Sequence, residues 1–274
     1  MGVAAALRVR RAAGLGLVDA VPIYDLAQEL GVDVRFMELA SLEGFYIGPD
    51  NPAIVISSLR PAGRQAFTCA HELGHHILGH GVTIDELQKE RENPSLEREF
   101  MADNFAGILL MPRAAVRDAF SSRGLRSFGC EPLQAYSLAC WFGVGYTTFV
   151  HHLRSALRMF DQRQADRLLR VPVKKLKAAI LGRETVQRVV AVDPLWNGRS
   201  LDLAIGDFVV CKGSVESQGR VLQSVERGDR AVFRASRRGQ GTVFGCGWTC
   251  NVRVSADRFT GRYVYRYLGE SSDE

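Results

Sequence analysis

The run RQAFTCAHELGHHILGH, residues 64–80, governs how the rest of the chain is read. Its apolar residues recur with helical spacing, and within it His71-Glu72-Leu73-Gly74-His75 sets two imidazoles four residues apart. A helix turns about 100° per residue, so the two rings lie one turn apart and about 40° from each other, within reach of a single cation. Glu72 stands beside that line, where a carboxylate can take a proton from a polarised water without occupying a coordination position. Gly74 weakens the helix that contains it, and close packing of a neighbouring element is the expected reason for it.

A hydrolytic metal site needs a third protein ligand and an open position for water. Position 81 is glycine, so a third histidine in the extended pattern H-E-x-x-H-x-x-G-x-x-H is excluded. A carboxylate from a second helix is the usual remaining solution, and the segment from about 95 to 110, ending at Met111-Pro112, supplies Glu99. Glu99, Ala102, Asp103 and Ala106 share one helix face at i, i+3, i+4 and i+7, with two alanines allowing close approach. Asp103, one turn below Glu99, is placed to accept a hydrogen bond from the far nitrogen of a ligand histidine and so fix its tautomer. Phe100, Met101, Phe105, Ile108 and Leu109 read as core. On the first helix, His76 and His80 fall about 140° and 180° from His71, off the metal face, and read as surface or packing residues.

HELGH preceded by Arg64 and FTCA, followed by E-x-x-A-D-x-F-A-x-x-L-L-M-P from Glu99, resembles the ImmA/IrrE family of zinc metallopeptidases. The likeness covers about residues 15 to 160, including PIYDLAQELGV and EGFYI. It implies a zincin-like fold, His71, His75 and Glu99 as zinc ligands and Glu72 as catalytic base. It also implies a protein substrate, a transcriptional repressor of the helix-turn-helix type cleaved in a stress response. Histidine and carboxylate ligands admit manganese as well as zinc. Tyr46, in a strand-like segment expected to border the cleft, is the candidate donor to the developing oxyanion.

Around this centre the pattern is α+β. Helical spacing covers 3 to 13 and about 21 to 31, and short β-branched or aromatic runs follow in VDVRFMEL, GFYIG and AIVISS. The charged stretch from 85 to 99 links the two site helices. Residues 132 to 158 read as helix, glycine-containing turn and helix. From 186 onward VQRVVAVD, DFVVCKG, GRVLQSV, RAVFRAS, TVFGCGW and NVRVSA succeed one another as strands. The expected organisation is a metallopeptidase domain over 1–130, a helix-turn-helix-like extension packed on it over 131–170, and a β-rich partner-binding or regulatory domain over 171–274.

Length and composition agree. With 274 residues, 46% apolar and 24% charged, the chain can bury a real core and is not mainly disordered. Six cysteines at 69, 130, 140, 211, 246 and 250 have no C-x-x-C pair, which points to a reducing cytoplasm and against a secreted disulfide framework. Cys246 and Cys250 are spaced wrongly for a structural zinc knuckle. No segment has the apolar length of a membrane span.

Residues 1–160 carry 15 basic and 17 acidic groups, and residues 161–274 carry 20 and 13. A basic second half together with LACWFGVGYTTFVHHL and the arginines at 154, 158, 163, 167 and 170 allows direct DNA binding. Phe142, Val144, Phe149 and Leu153 fit a packing role better. His151 and His152 read as partly exposed. The alternative to proteolysis is a non-hydrolytic regulator that binds a repressor or DNA with the same fold.

Overall fold

The computed structural model describes residues 1–81, 83–86, 95–226 and 229–269. Most of the expected charged linker lies outside the described residues. The chain opens with helices α1 (Gly2–Ala12) and α2 (Ile23–Glu29), followed by strands β1 (Asp33–Met37), β2 (Leu42–Ile47) and β3 (Ala53–Ser57). Val34 and Phe36 of β1 are buried while Arg35 and Met37 are exposed, the alternation of a half-covered strand. All of β3 is buried, which its sequence AIVIS anticipates for a central strand.

Helix α3 (Ala62–Leu78) then lies against β2 and β3, and strand β4 (Thr83–Glu86) returns beside β2. Helix α4 (Ser95–Leu110) packs on α3, and α1 covers α4 from the other side. Gly74 sits where α3 and α4 meet: a Cβ there would lie 3.0 Å from the Phe105 ring and 3.3 Å from the Ala102 backbone. The close approach expected of Gly74, Ala102 and Ala106 is therefore present, with both alanines fully buried. Arg10 of α1 is also buried; its guanidinium donates to Leu109 O at 2.7 Å and to Asp19 O at 2.7 Å, tying the end of α4 to the loop after α1. One residue read as core is not: Phe100 is 68% exposed, because it lies on the side of α4 turned from α3.

Helices α5 (Arg113–Ser121), α6 (Pro132–Trp141), α7 (Tyr146–Ser155), α8 (Gln162–Leu169) and α9 (Val173–Leu181) follow. Phe142, Val144, Phe149 and Leu153 are buried in the same apolar cluster as the core of α3 and α4, so the α6–α7 pair is packed against the first part of the chain. Helix α9 lies beyond residue 170, in a stretch read as β-rich.

The remaining strands are β5 (Val189–Val192), β6 (Ser200–Ala204), β7 (Phe208–Lys212), β8 (Glu216–Gln218), β9 (Leu222–Glu226), β10 (Arg230–Ala235), β11 (Gly239–Gly245), β12 (Trp248–Ser255) and β13 (Gly261–Arg262). They form two four-stranded sheets, β5-β7-β10-β9 and β6-β12-β11-β8, with Val209, Cys211, Phe233, Val243, Cys250, Val252 and Val254 buried. The architecture is thus mixed α+β with a mainly-β C-terminal region. Strand β13 is the exception to sequential order, because it joins the first sheet, whose order is β13-β1-β3-β2-β4. There Arg262 pairs with Arg35 and Gly261 with Phe36. The return is fastened by Arg253, which reaches Asp25 at 2.9 Å and Asp202 at 2.6 Å, and by Tyr263, whose hydroxyl donates to Asp25 at 2.7 Å.

Candidate metal centre

His71 and His75 leave α3 on the side facing α4 and are 3% and 1% exposed. Their Nε2 atoms stand 3.0 Å apart. Glu99 arrives from α4 with Oε2 3.1 Å from His71 Nε2 and Oε1 3.4 Å from His75 Nε2. One ligand atom from each residue lies within 4.8 Å of the others, and this is the one group of that kind found among the described residues. The helix geometry read from the sequence therefore brings the three together.

The other ring nitrogens face away from the shared point and are engaged. His71 Nδ1 lies 2.8 Å from Asp103 Oδ1, as expected from the position of Asp103 one turn below Glu99. His75 Nδ1 lies 3.0 Å from His80 Nδ1. That second contact corrects the placement of His80 off the metal face. A continuing helix would carry His80 away from His75, but α3 ends at Leu78 and Gly79, at φ 69° in the left-handed region, turns the chain back over His75.

Electrostatics favours positive charge here. Burial works against a charged His71, yet hydrogen bonds to Asp103 and Glu99 and the nearby Glu72 carboxylate outweigh it and raise its pKa to about 10. Burial would likewise raise Glu99, but its hydrogen bonds to His71 and His75 hold it well below the usual carboxylate range. Two imidazole nitrogens and a carboxylate, converging in a field that attracts a cation, suit zinc. Glu72 is fully buried beside His71 and is not one of the three converging groups.

Tyr46 is buried, and its hydroxyl is 2.7 Å from Nδ1 of His76 on α3. His76 is half-buried, in keeping with its reading as a packing residue. Cys246 is exposed and Cys250 buried, both as free thiols.

His152 departs from its reading as a partly exposed residue, while His151 is exposed. The ring of His152 is buried, with Nε2 donating to Met111 O at 3.0 Å and Nδ1 set against Gly107 of α4, where no side chain intervenes. Burial pushes its pKa down to about 4. Above the ordinary imidazole value of 6.5 both folded and unfolded chains hold it neutral. As pH falls from 6.5 toward 4 only the unfolded chain takes up the proton, so stability should fall, by about 3 kcal/mol at most. Urea unfolding between pH 7 and 4 should show this slope, and His152→Gln, which keeps a donor for Met111 O, should flatten it.

A buried pair of histidines on one helix, a carboxylate from the next and a glutamate beside the first histidine define the class: an HExxH metallopeptidase centre completed by a downstream glutamate. Residues 27–154, a little under half of the chain, match the IrrE N-terminal-like domain, Peptidase M78. Among curated relatives, the radiation response metalloprotease IrrE of Deinococcus radiodurans is 33% identical over 97 residues, covering 34% of this chain and 29% of its own length. The protein of the same name from Deinococcus deserti is 33% identical over 97 residues, covering 34% of each. The chain thus spans about a third of the length of these relatives. A Mycobacterium tuberculosis transcriptional regulator aligns in structure at TM-score 0.38 and 21% identity, over 60% of this chain and 48% of that one. No helix among the described residues is long and apolar enough to cross a membrane.

Proposed function

We propose that the chain is a zinc-dependent metalloendopeptidase acting on a cytoplasmic protein, a helix-turn-helix transcriptional repressor, in a stress or mobile-element response. The observation that carries the reading is the convergence of His71 Nε2, His75 Nε2 and the Glu99 carboxylate. These three side chains would hold the ion, with manganese as an alternative occupant. When bound, zinc supplies Lewis acidity, acidifying a water and polarising the scissile carbonyl. Glu72 would take the proton of the attacking water on its carboxylate and pass it to the leaving nitrogen. Asp103 keeps the Nδ1 proton of His71 in place, which leaves Nε2 as the donor. Within the same reading, residues 1–130 carry the chemistry, 131–170 brace it and 171–274 meet the partner or signal.

The His80 contact adds a second orienting group, with its Nδ1 accepting from the Nδ1–H of His75. His80→Ala should weaken zinc binding by roughly 10- to 100-fold in competition with a chromophoric chelator, and His80→Asn, which returns an acceptor near the same place, should recover most of it.

Purified full-length protein should contain about one zinc per chain and cut a cognate repressor. Salt-sensitive DNA binding with no cleavage of any co-purifying protein, unchanged by Glu72→Gln, would replace this reading with the non-hydrolytic regulator. The burial of Phe142, Val144, Phe149 and Leu153 favours bracing over DNA reading for α6 and α7.

A further inference from the structure

At the far end of α4 from the metal centre, α5 and the turns around it frame a cavity of about 820 Å3. Arg113 and Arg117 of α5, Arg126 from the loop after it and Arg158 from the turn after α7 line this cavity, and Asp118 is the one carboxylate that does so. Leu125 and Met159, both half-buried, add apolar surface to its lining, above the buried Phe120. Along α4, at about 1.5 Å per residue, the cavity lies roughly 20 Å from Glu99.

Most arginines elsewhere in the fold that face acids are matched to them: Arg123 to Asp193 at 2.8 Å, Arg167 to Glu131 at 3.0 Å, Arg253 to Asp25 at 2.9 Å. Among the described residues none of the four cavity arginines forms such a pair, although the first 160 residues carry more acidic than basic groups. Like charges gathered around a concavity repel one another and focus a positive potential into it.

The turn bearing Arg158 is also constrained. Arg158 is a non-glycine residue at φ 50°, in the left-handed region. The Arg113 guanidinium donates to Leu157 O, and Leu157 N and Met159 N bond back to His152 O and Leu153 O at 3.0 and 2.7 Å. An unfavourable backbone conformation held by its surroundings is a feature that gathers at ligand clamps.

We propose that this cavity binds a free nucleotide bearing two or more phosphates. The guanidinium groups take the phosphate oxygens, for which their planar forks are suited, and the base lies against Leu125 and Met159. The volume falls within the range of about 300–1,000 Å3 usual for small-molecule sites. A duplex backbone presents charge without an apolar part to fill the inner wall, so a free nucleotide fits better. The inference does not depend on the metal centre being a peptidase.

The test is isothermal titration calorimetry on the full-length, zinc-loaded chain with ATP, GTP, pyrophosphate, inorganic phosphate, a random-sequence DNA duplex and a polyglutamate peptide. ATP or GTP should bind at least tenfold more tightly than pyrophosphate. Arg117→Glu and Arg126→Glu should each weaken that binding at least tenfold, with zinc content and thermal midpoint unchanged. Arg158→Gly should weaken binding while raising the thermal midpoint, because glycine accepts the left-handed backbone without strain. The proposal is overturned by absence of nucleotide binding at millimolar concentration, by binding indifferent to both charge reversals, or by DNA or polyglutamate binding more tightly than either nucleotide.

Discussion

Under the proposed function, Glu72→Gln should lower cleavage of the protein substrate by roughly a thousandfold or more while leaving the metal content unchanged, because it removes a proton acceptor and none of the converging donors. Glutamine keeps the volume of the fully buried side chain, so the fold should be undisturbed. Cleavage and metal content have to be measured on the same preparation. A variant that still cuts at the wild-type rate would remove Glu72 from the mechanism, and one that loses its zinc would show that the substitution disturbed the site.

Gly74→Val tests the spacing of the two helices that make the centre. Even the Cβ of alanine would press on the Phe105 ring at 3.0 Å and the Ala102 backbone at 3.3 Å, and valine adds two methyl groups at that point. Overpacking of this kind costs about 1–3 kcal/mol. The larger consequence should be at the metal, since Glu99 rides on α4 and the histidines on α3. Ligand distances hold within a few tenths of an ångström, so a small separation of the helices should weaken zinc binding by at least a hundredfold. Gly74→Ala should be milder, because better helix propensity offsets part of the contact by about 1 kcal/mol. Thermal unfolding and chelator competition on both variants provide the check. Unchanged zinc affinity in the valine variant would mean that helix spacing does not set the site.

Much of the centre was legible because its geometry is local. His71 and His75 share one helix, and Glu99 and Asp103 share another, so periodicity alone assigns each pair to a face. Gly74 and the two alanines announced where the helices would meet. His80 was missed because the rotation count ran past Gly79, whose left-handed conformation ends the regular turn. That glycine was the available signal. Phe100 and His152 differ from expectation for another reason: which side of α4 is covered and what lies opposite Gly107 depend on other helices, not on the periodicity of their own. In the second half, alternation located most of the strands, but the helix over Val173–Leu181 was lost among readings of β-structure. The arginine cavity has no sequence signature, since its charges come from one helix and two separate turns.

Pairing between Arg35 and Arg262 means that the first sheet is finished by nearly the last described stretch of the chain. During synthesis, β1 leaves the ribosome with its outer edge uncovered and stays so until more than two hundred further residues have been made. A nascent or prematurely terminated chain would therefore expose that edge to other molecules, and a fragment cut after α8 would inherit the same hazard even with every donor to the metal intact. Synthesis as far as β13 thus sets when the first sheet can gain its last strand.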